Sequence, residues 1–130
     1  SVIPDSEADV KKVKRIVLCS GKVYYDLLEQ VRAEKQDNTA LIRIEQLYPF
    51  PTSELTAQLT RYPKVKDIVW CQEEPKNQGA WYCTQHHLLS CVAKSQTVHY
   101  VGRPASAAPA VGSPLVHAQE QQMLVKEALN

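Results

Sequence analysis

No stretch of this 130-residue chain approaches the roughly 18 to 20 consecutive apolar residues that a membrane-spanning helix needs. The opening SVIPDSEADVKK also lacks the apolar core of a secretory signal, so a soluble chain with no membrane partner is expected. A surplus of one charge is missing too, since 15 lysines and arginines stand against 14 aspartates and glutamates. Without a basic field to displace counter-ions, a nucleic-acid partner is excluded from the reading. The chain has no CxxC pair: Cys19, Cys71, Cys83 and Cys91 lie far apart, each in an apolar segment. That spacing predicts reduced, packed thiols in a reducing compartment rather than a disulfide framework. The phosphate-loop pattern GxxxxGK[ST] and the dinucleotide pattern GxGxxG are both absent.

What is present is the grammar of one α/β domain. A chain of this length removes roughly two-thirds of its unfolded surface from water and needs no metal or disulfide to fold. Ser1 to Lys14 is charged and poor in apolar residues, and is expected to be a linker with Val2 and Ile3 as the remnant of an edge strand. From residue 15 to residue 130 a single domain is expected. Arg15 to Cys19 (RIVLC), Thr39 to Ile44 (TALIRI), Asp67 to Cys71 (DIVWC) and Val98 to Val101 (VHYV) are short runs rich in β-branched residues, the pattern of strands covered on both faces.

Between them lie helical patterns. Val23, Leu27, Leu28 and Val31 form one apolar face over Lys22 to Lys35, with Ser20 or Gly21 as the cap. Leu55 and Leu59 mark a two-turn helix over Ser53 to Arg61, capped by Thr52 or Ser53, after Pro49 and Pro51 stop the preceding strand. A further helix is expected from about Gly79 to Val92. A last one follows Ser113 and Pro114 to about Leu129, beyond an extended, proline-rich loop from Gly102 to Pro114. Alternation of this kind predicts a three-layer α/β/α domain on a mostly parallel sheet of four to five strands, whose loops at the carboxyl ends of the strands meet ligands and partners.

Few residues carry obvious chemistry, and no catalytic, cofactor-binding or metal-ligating residue is assigned. Cys19 to Lys22 (CSGK) between strand and helix suits a structural turn better than a phosphate cradle. Glu73 and Glu74 are adjacent in extended chain, so they point oppositely and are expected as solvated or partner-facing acids. Cys83, His87 and Cys91 share a helical face, but positions i and i+8 lie about 12 Å apart along the axis, too far for one zinc ion, so a buried stripe is expected. Arg103 has the planar fork that pairs with an anionic group or a carboxylate across an interface. Trp70, Trp81, Tyr82, Tyr48 and Phe50 suit a core or an interface equally. The polar loop Gln72 to Gln78, with Trp81, is expected to be an inter-domain or inter-subunit surface, with Glu73, Glu74, Asn77, Gln78, Trp81 and Arg103 as its contacts.

Four blocks carry a family resemblance: KVKRIVLCSGKVYYDLLEQ from Lys12, RIEQLYPFP from Arg43, VKDIVWCQEEPKNQGAWY from Val65 and VGRPASAAPAVGSPLVHAQEQQMLVKEAL from Val101. Together they resemble the C-terminal domain of the decarboxylating component of 2-oxoglutarate dehydrogenase, an oxidoreductase of the transketolase-like superfamily. The resemblance implies an enzyme that uses thiamine diphosphate and magnesium to decarboxylate 2-oxoglutarate in the tricarboxylic acid cycle and passes succinyl to the lipoyl arm of dihydrolipoamide succinyltransferase. It implies a homodimer whose cofactor sits in preceding domains, so that this domain fragment is inactive alone and supports assembly with the other domains of the same chain. The setting it implies is cytoplasmic in a bacterium, or the mitochondrial matrix in a eukaryote. The rival reading is a free-standing regulatory or nucleotide-binding α/β module.

Overall fold

The structure, a computed structural model, describes residues 1–104 and 114–130. Its elements are β1 (Val2–Ile3), β2 (Arg15–Cys19), α1 (Val23–Ala33), β3 (Thr39–Ile44), α2 (Thr52–Thr60), β4 (Asp67–Pro75), α3 (Trp81–Cys91), β5 (Thr97–Arg103) and α4 (Pro114–Leu129). The strands form one sheet in the order β1-β3-β2-β4-β5. β1 runs antiparallel to β3, and every other pairing is parallel.

Alternation along the strands supplies two cores. Ile16, Leu18, Ile42, Ile68 and Trp70 face Leu55 and Leu59 of α2 and Leu88 of α3. Val17, Cys19, Leu41, Val69 and Cys71 face Leu27 of α1 and Leu124, Val125 and Ala128 of α4. Helices on both faces bury both sides of each central strand, which is why RIVLC and TALIRI read as continuous rather than alternating apolar runs.

Within Ser1 to Lys14 the chain is fastened to the domain at several points. Asp5 Oδ2 accepts the Leu41 N–H at 2.8 Å, its Oδ1 accepts those of Glu7 and Ala8, and Val13 is buried. Helix ends depart from the expected caps. The residue before α1 is Lys22 and that before α2 is Pro51, and neither helix has a side-chain cap. Gly21 is instead the turn residue: its φ of 81° lies in the left-handed region that side chains disfavour.

β4 is longer than expected. Gln72 to Pro75 are strand, not loop, with a register irregularity between Cys71 and Pro75 before Pro75 pairs with Arg103. β5 likewise runs through Gly102 and Arg103, which were expected in the proline-rich loop. The rest of that loop, and the Ser113 cap, lie outside the described residues apart from Pro104 and Pro114.

Candidate functional site

β2 leads to β3 on one side of it through α1, whereas β4 leads to β5 on the other side through α3. The carboxyl ends of β2 and β4 therefore diverge, and in sheets of this kind such a switch point opens a crevice. A cleft of about 710 Å³ occupies that place. Ser20 and Gly21 line it from the end of β2, Leu47 and Tyr48 from the β3–α2 loop, and Gln72 and Glu74 from β4. Ala80 and the α3 residues Cys83, Thr84, His86 and His87 form its remaining wall.

The floor is organised by Gln72, which is 3% exposed. Its Oε1 accepts Trp70 Nε1–H and the Trp81 backbone N–H, each at 3.0 Å. Its Nε2 donates to the carbonyls of Glu74, Pro75 and Gln78 at 3.2, 3.0 and 2.9 Å. One amide thus satisfies both ends of the β4–α3 connection. The sequence pattern places Gln72 in a polar, partner-facing loop. The signal that could have found it is the indole N–H of a buried Trp70, which requires a polar partner, with Gln72 two residues on and so on the same sheet face. Gly102 lies against this hub, for a Cβ there would stand 2.6 Å from the Gln72 carbonyl and 2.5 Å from Tyr100 Oη.

The sheet divides the expected contact residues into two groups. Glu73 faces α1 and α4, where its Oε1 accepts from Lys22 Nζ at 2.9 Å and from Gln121 Nε2 at 3.2 Å. The Glu73 partnership raises the Lys22 pKa above its ordinary value, first through the hydrogen bond and then through its charge. Arg103, expected to offer its fork to an anion or a partner, turns inward instead and is 8% exposed. Its Nε donates to Glu120 Oε2 at 3.0 Å, one Nη donates to the Glu73 carbonyl, and the other reaches Gln121 Oε1 at 3.1 Å and His117 Nδ1 at 3.3 Å. The guanidinium clamps α4 onto the ends of β4 and β5.

Glu74 and Trp81 belong to the opposite side, with Glu74 directed into the cleft. Among the described residues Glu74 has no ion pair, in contrast to Glu73. Trp81 is half-buried and leans on Tyr100 with ring centroids 5.3 Å apart. Asn77 is exposed, and Gln78 contributes its carbonyl to Gln72. Tyr48, 91% exposed, stands at the rim beside Leu47, after which the Tyr48–Pro49 peptide is cis.

The expected buried stripe of Cys83, His87 and Cys91 is not formed as such. Thr84, Leu88 and Cys91 are the face that α3 buries, and Cys83 sits one step around the helix, exposed at the cleft. His87 stacks on Phe50 at 5.0 Å, with His86 4.0 Å from it. Among the described residues no group of three ligands could hold a metal ion. Cys19 and Cys71 are buried, and loss of hydration raises both thiols, Cys19 to about 12.

The cleft does not fit thiamine diphosphate. Among the described residues its lining includes no lysine or arginine to meet a diphosphate, and the carboxylate of Glu74 would repel it. The ammonium of Lys22, in the β2–α1 turn, is engaged by Glu73, which weakens a nucleotide-phosphate reading of that turn.

Residues 1–129 match the family model described as 2-oxoglutarate dehydrogenase C-terminal. The chain is similar to the 2-oxoglutarate dehydrogenase E1 component of Coxiella burnetii, 55% identical over 98% of this chain and 14% of that protein. It is 57% identical to the E1 component of Haemophilus influenzae over 95% of this chain and 13% of that protein. It is 53% identical to that of Azotobacter vinelandii over 98% and 14%. The chain thus spans about one-seventh of the length of the curated relatives it matches.

Proposed function

Because the chain belongs to the 2-oxoglutarate dehydrogenase C-terminal family, we propose that it is the C-terminal domain of an E1 component and that its work there is assembly rather than chemistry. The observation that carries this reading is the switch-point cleft: apolar in the main, rimmed by an aromatic ring with almost no cover, and, among the described residues, without a lysine or arginine for the cofactor's diphosphate. Partly buried aromatics beside amides and one acid are the composition of an interface core and rim.

In the proposed enzyme, thiamine diphosphate with magnesium supplies the carbanion chemistry that decarboxylates 2-oxoglutarate, in domains outside this chain. In this proposal the chain's own residues take no part in holding it. They close a sheet, hold α4 through Arg103 and present the strand-end cleft to the other domains of the same polypeptide and to its dimer mate. The dihydrolipoamide succinyltransferase is the proposed recipient of the succinyl group, and a bacterial cytoplasm the setting that fits the relatives.

The test is a decarboxylation assay on the purified 130-residue chain with 2-oxoglutarate, thiamine diphosphate and magnesium. Background turnover is expected. Turnover above the blank that follows the folded protein through purification would overturn the reading.

A further inference from the structure

The two adjacent acids at the end of β4 are treated differently by the fold. Glu73 is half-buried and paired with Lys22. Glu74, one residue on, points to the other side of the sheet and into the cleft, where no ion pair meets it among the described residues. Among the described residues it is the only carboxylate in the lining, and none of those lining residues is a lysine or arginine. Gly79, with a φ of 65°, lets the chain pass close to this side chain, for a Cβ there would lie 3.1 Å from Glu74 Oε1.

Two further features share the cleft with that charge. Tyr48 offers a ring face that is 91% exposed, and Leu47 and Ala80 give apolar wall beside it. A carboxylate, an open aromatic face and an apolar wall in one crevice fit a cation on an apolar stem. Of the two basic side chains, arginine matches better, since its planar fork donates two N–H groups to a carboxylate and stacks on an aromatic face, with its methylenes against the wall.

We propose that the cleft receives an arginine-bearing segment of the same parent polypeptide from outside these 130 residues, its guanidinium on Glu74 and stacked on Tyr48. The proposal rests on the reading of the chain as the C-terminal domain of a longer enzyme. Charge complementarity selects the segment's chemistry, and the chain's one-seventh share of its relatives' length leaves ample polypeptide to supply it. The net charge of +1 on this domain makes a general attraction for basic segments an inadequate substitute.

Cys83 lines the same cleft and is exposed, whereas Cys19, Cys71 and Cys91 are buried, so its alkylation reports occupancy. Iodoacetamide labelling of the Cys83 peptide would be followed by mass spectrometry in the 130-residue chain and in the full-length enzyme. The full-length enzyme should label at least about tenfold more slowly, equivalent to an occupant held by about 1.4 kcal/mol or more. Glu74→Lys should restore fast labelling in the full-length enzyme and Glu74→Gln should do so in part, each judged against the same variant in the short chain, because a changed charge in the cleft alters the reactivity of Cys83 itself. Equal labelling of the two wild-type proteins, with the full-length enzyme dimeric and active, would overturn this inference and leave the family reading intact. Slow labelling that Glu74→Lys does not relieve would assign the cover to something other than a paired cation and would overturn it as well. Protection of the short chain by free arginine methyl ester at micromolar concentration would point to a small-ligand site and would also overturn it. If the parent gene encoded these 130 residues alone, it is the underlying family role that would fail.

Discussion

The side-chain carbonyl of Gln72 accepts the backbone N–H of Trp81 at 3.0 Å, tying the end of β4 to the first turn of α3. The same amide meets Trp70 Nε1 and three backbone carbonyls, so both its acceptor and its donors are engaged and its orientation is fixed. The connection that forms the cleft floor is folded around this one buried group.

Gln72→Ala should therefore destabilise the domain by about 2 to 4 kcal/mol, because it strands an indole N–H and several carbonyls in a buried place. Gln72→Glu should cost at least as much, since a carboxylate would face the three carbonyls. Urea unfolding followed by tryptophan fluorescence measures both. A change below about 0.5 kcal/mol in either would show that water replaces the amide freely.

Arg103→Lys should loosen α4 although the charge is kept. An ammonium cannot reach Glu120, the Glu73 carbonyl and Gln121 together as the guanidinium does. Hydrogen exchange should quicken across Pro114–Leu129 while β2 and β3 keep their protection. Uniform protection, with α4 unchanged, would mean that the apolar contacts of Leu124, Val125 and Ala128 hold the helix unaided.

Alkaline pH should unfold the domain early. Burial raises the Cys19 thiol from 9.0 to about 12 and the Tyr100 phenol from 10.0 to about 12, with Cys71 raised in the same sense. The native state then holds protons that the unfolded chain releases above pH 9, so stability is unaffected below that value and falls as pH rises toward 12. The slope should be smaller in Cys19→Ala once its own lower baseline is allowed for. Thermal melts between pH 7 and 11 give the curve, and a melting point that is flat or rises between pH 9 and 11 would contradict it.

Much of the frame was legible in the sequence. Arg15–Cys19 and Thr39–Ile44 are strands with the expected limits, because compact β-branched runs are bounded by Ser20–Gly21 on one side and by a charged, proline-bearing segment on the other. The positions of α1 and α2 followed from the spacing of Val23, Leu27, Leu28 and Val31 and of Leu55 and Leu59. The family was legible from whole blocks of sequence, and the family match over residues 1–129 agrees with it.

The cleft was less legible because polar residues carry no burial signal of their own. Gln72 in the run QEEP looks solvated, yet Trp70 two residues earlier draws it inward. Arg103 looks like a free fork beside a loop, and its partners Glu120 and Gln121 lie 17 and 18 residues away on α4, where no local pattern reveals them. Trp81 was expected as an interface anchor, but its ring rests on Tyr100 within the domain, so its truncation would weaken the fold as well as any docking. Tyr48 is the cleaner probe of the surface, since its ring is almost wholly exposed.

The central claim, that this face assembles the enzyme and does not perform its chemistry, is tested most directly by Tyr48→Ala in the full-length protein. Sedimentation velocity and single-turnover decarboxylation would be measured on the same preparation. Assembly should weaken by about 2 kcal/mol or more if the exposed ring is a docking anchor. The chemical step in the assembled fraction should stay within about threefold of wild type, a difference of less than 1 kcal/mol in the barrier. Unchanged assembly with a chemical step slowed about a hundredfold, the loss seen when a group acting on the transition state is removed, would place the cleft in the active site and contradict the account.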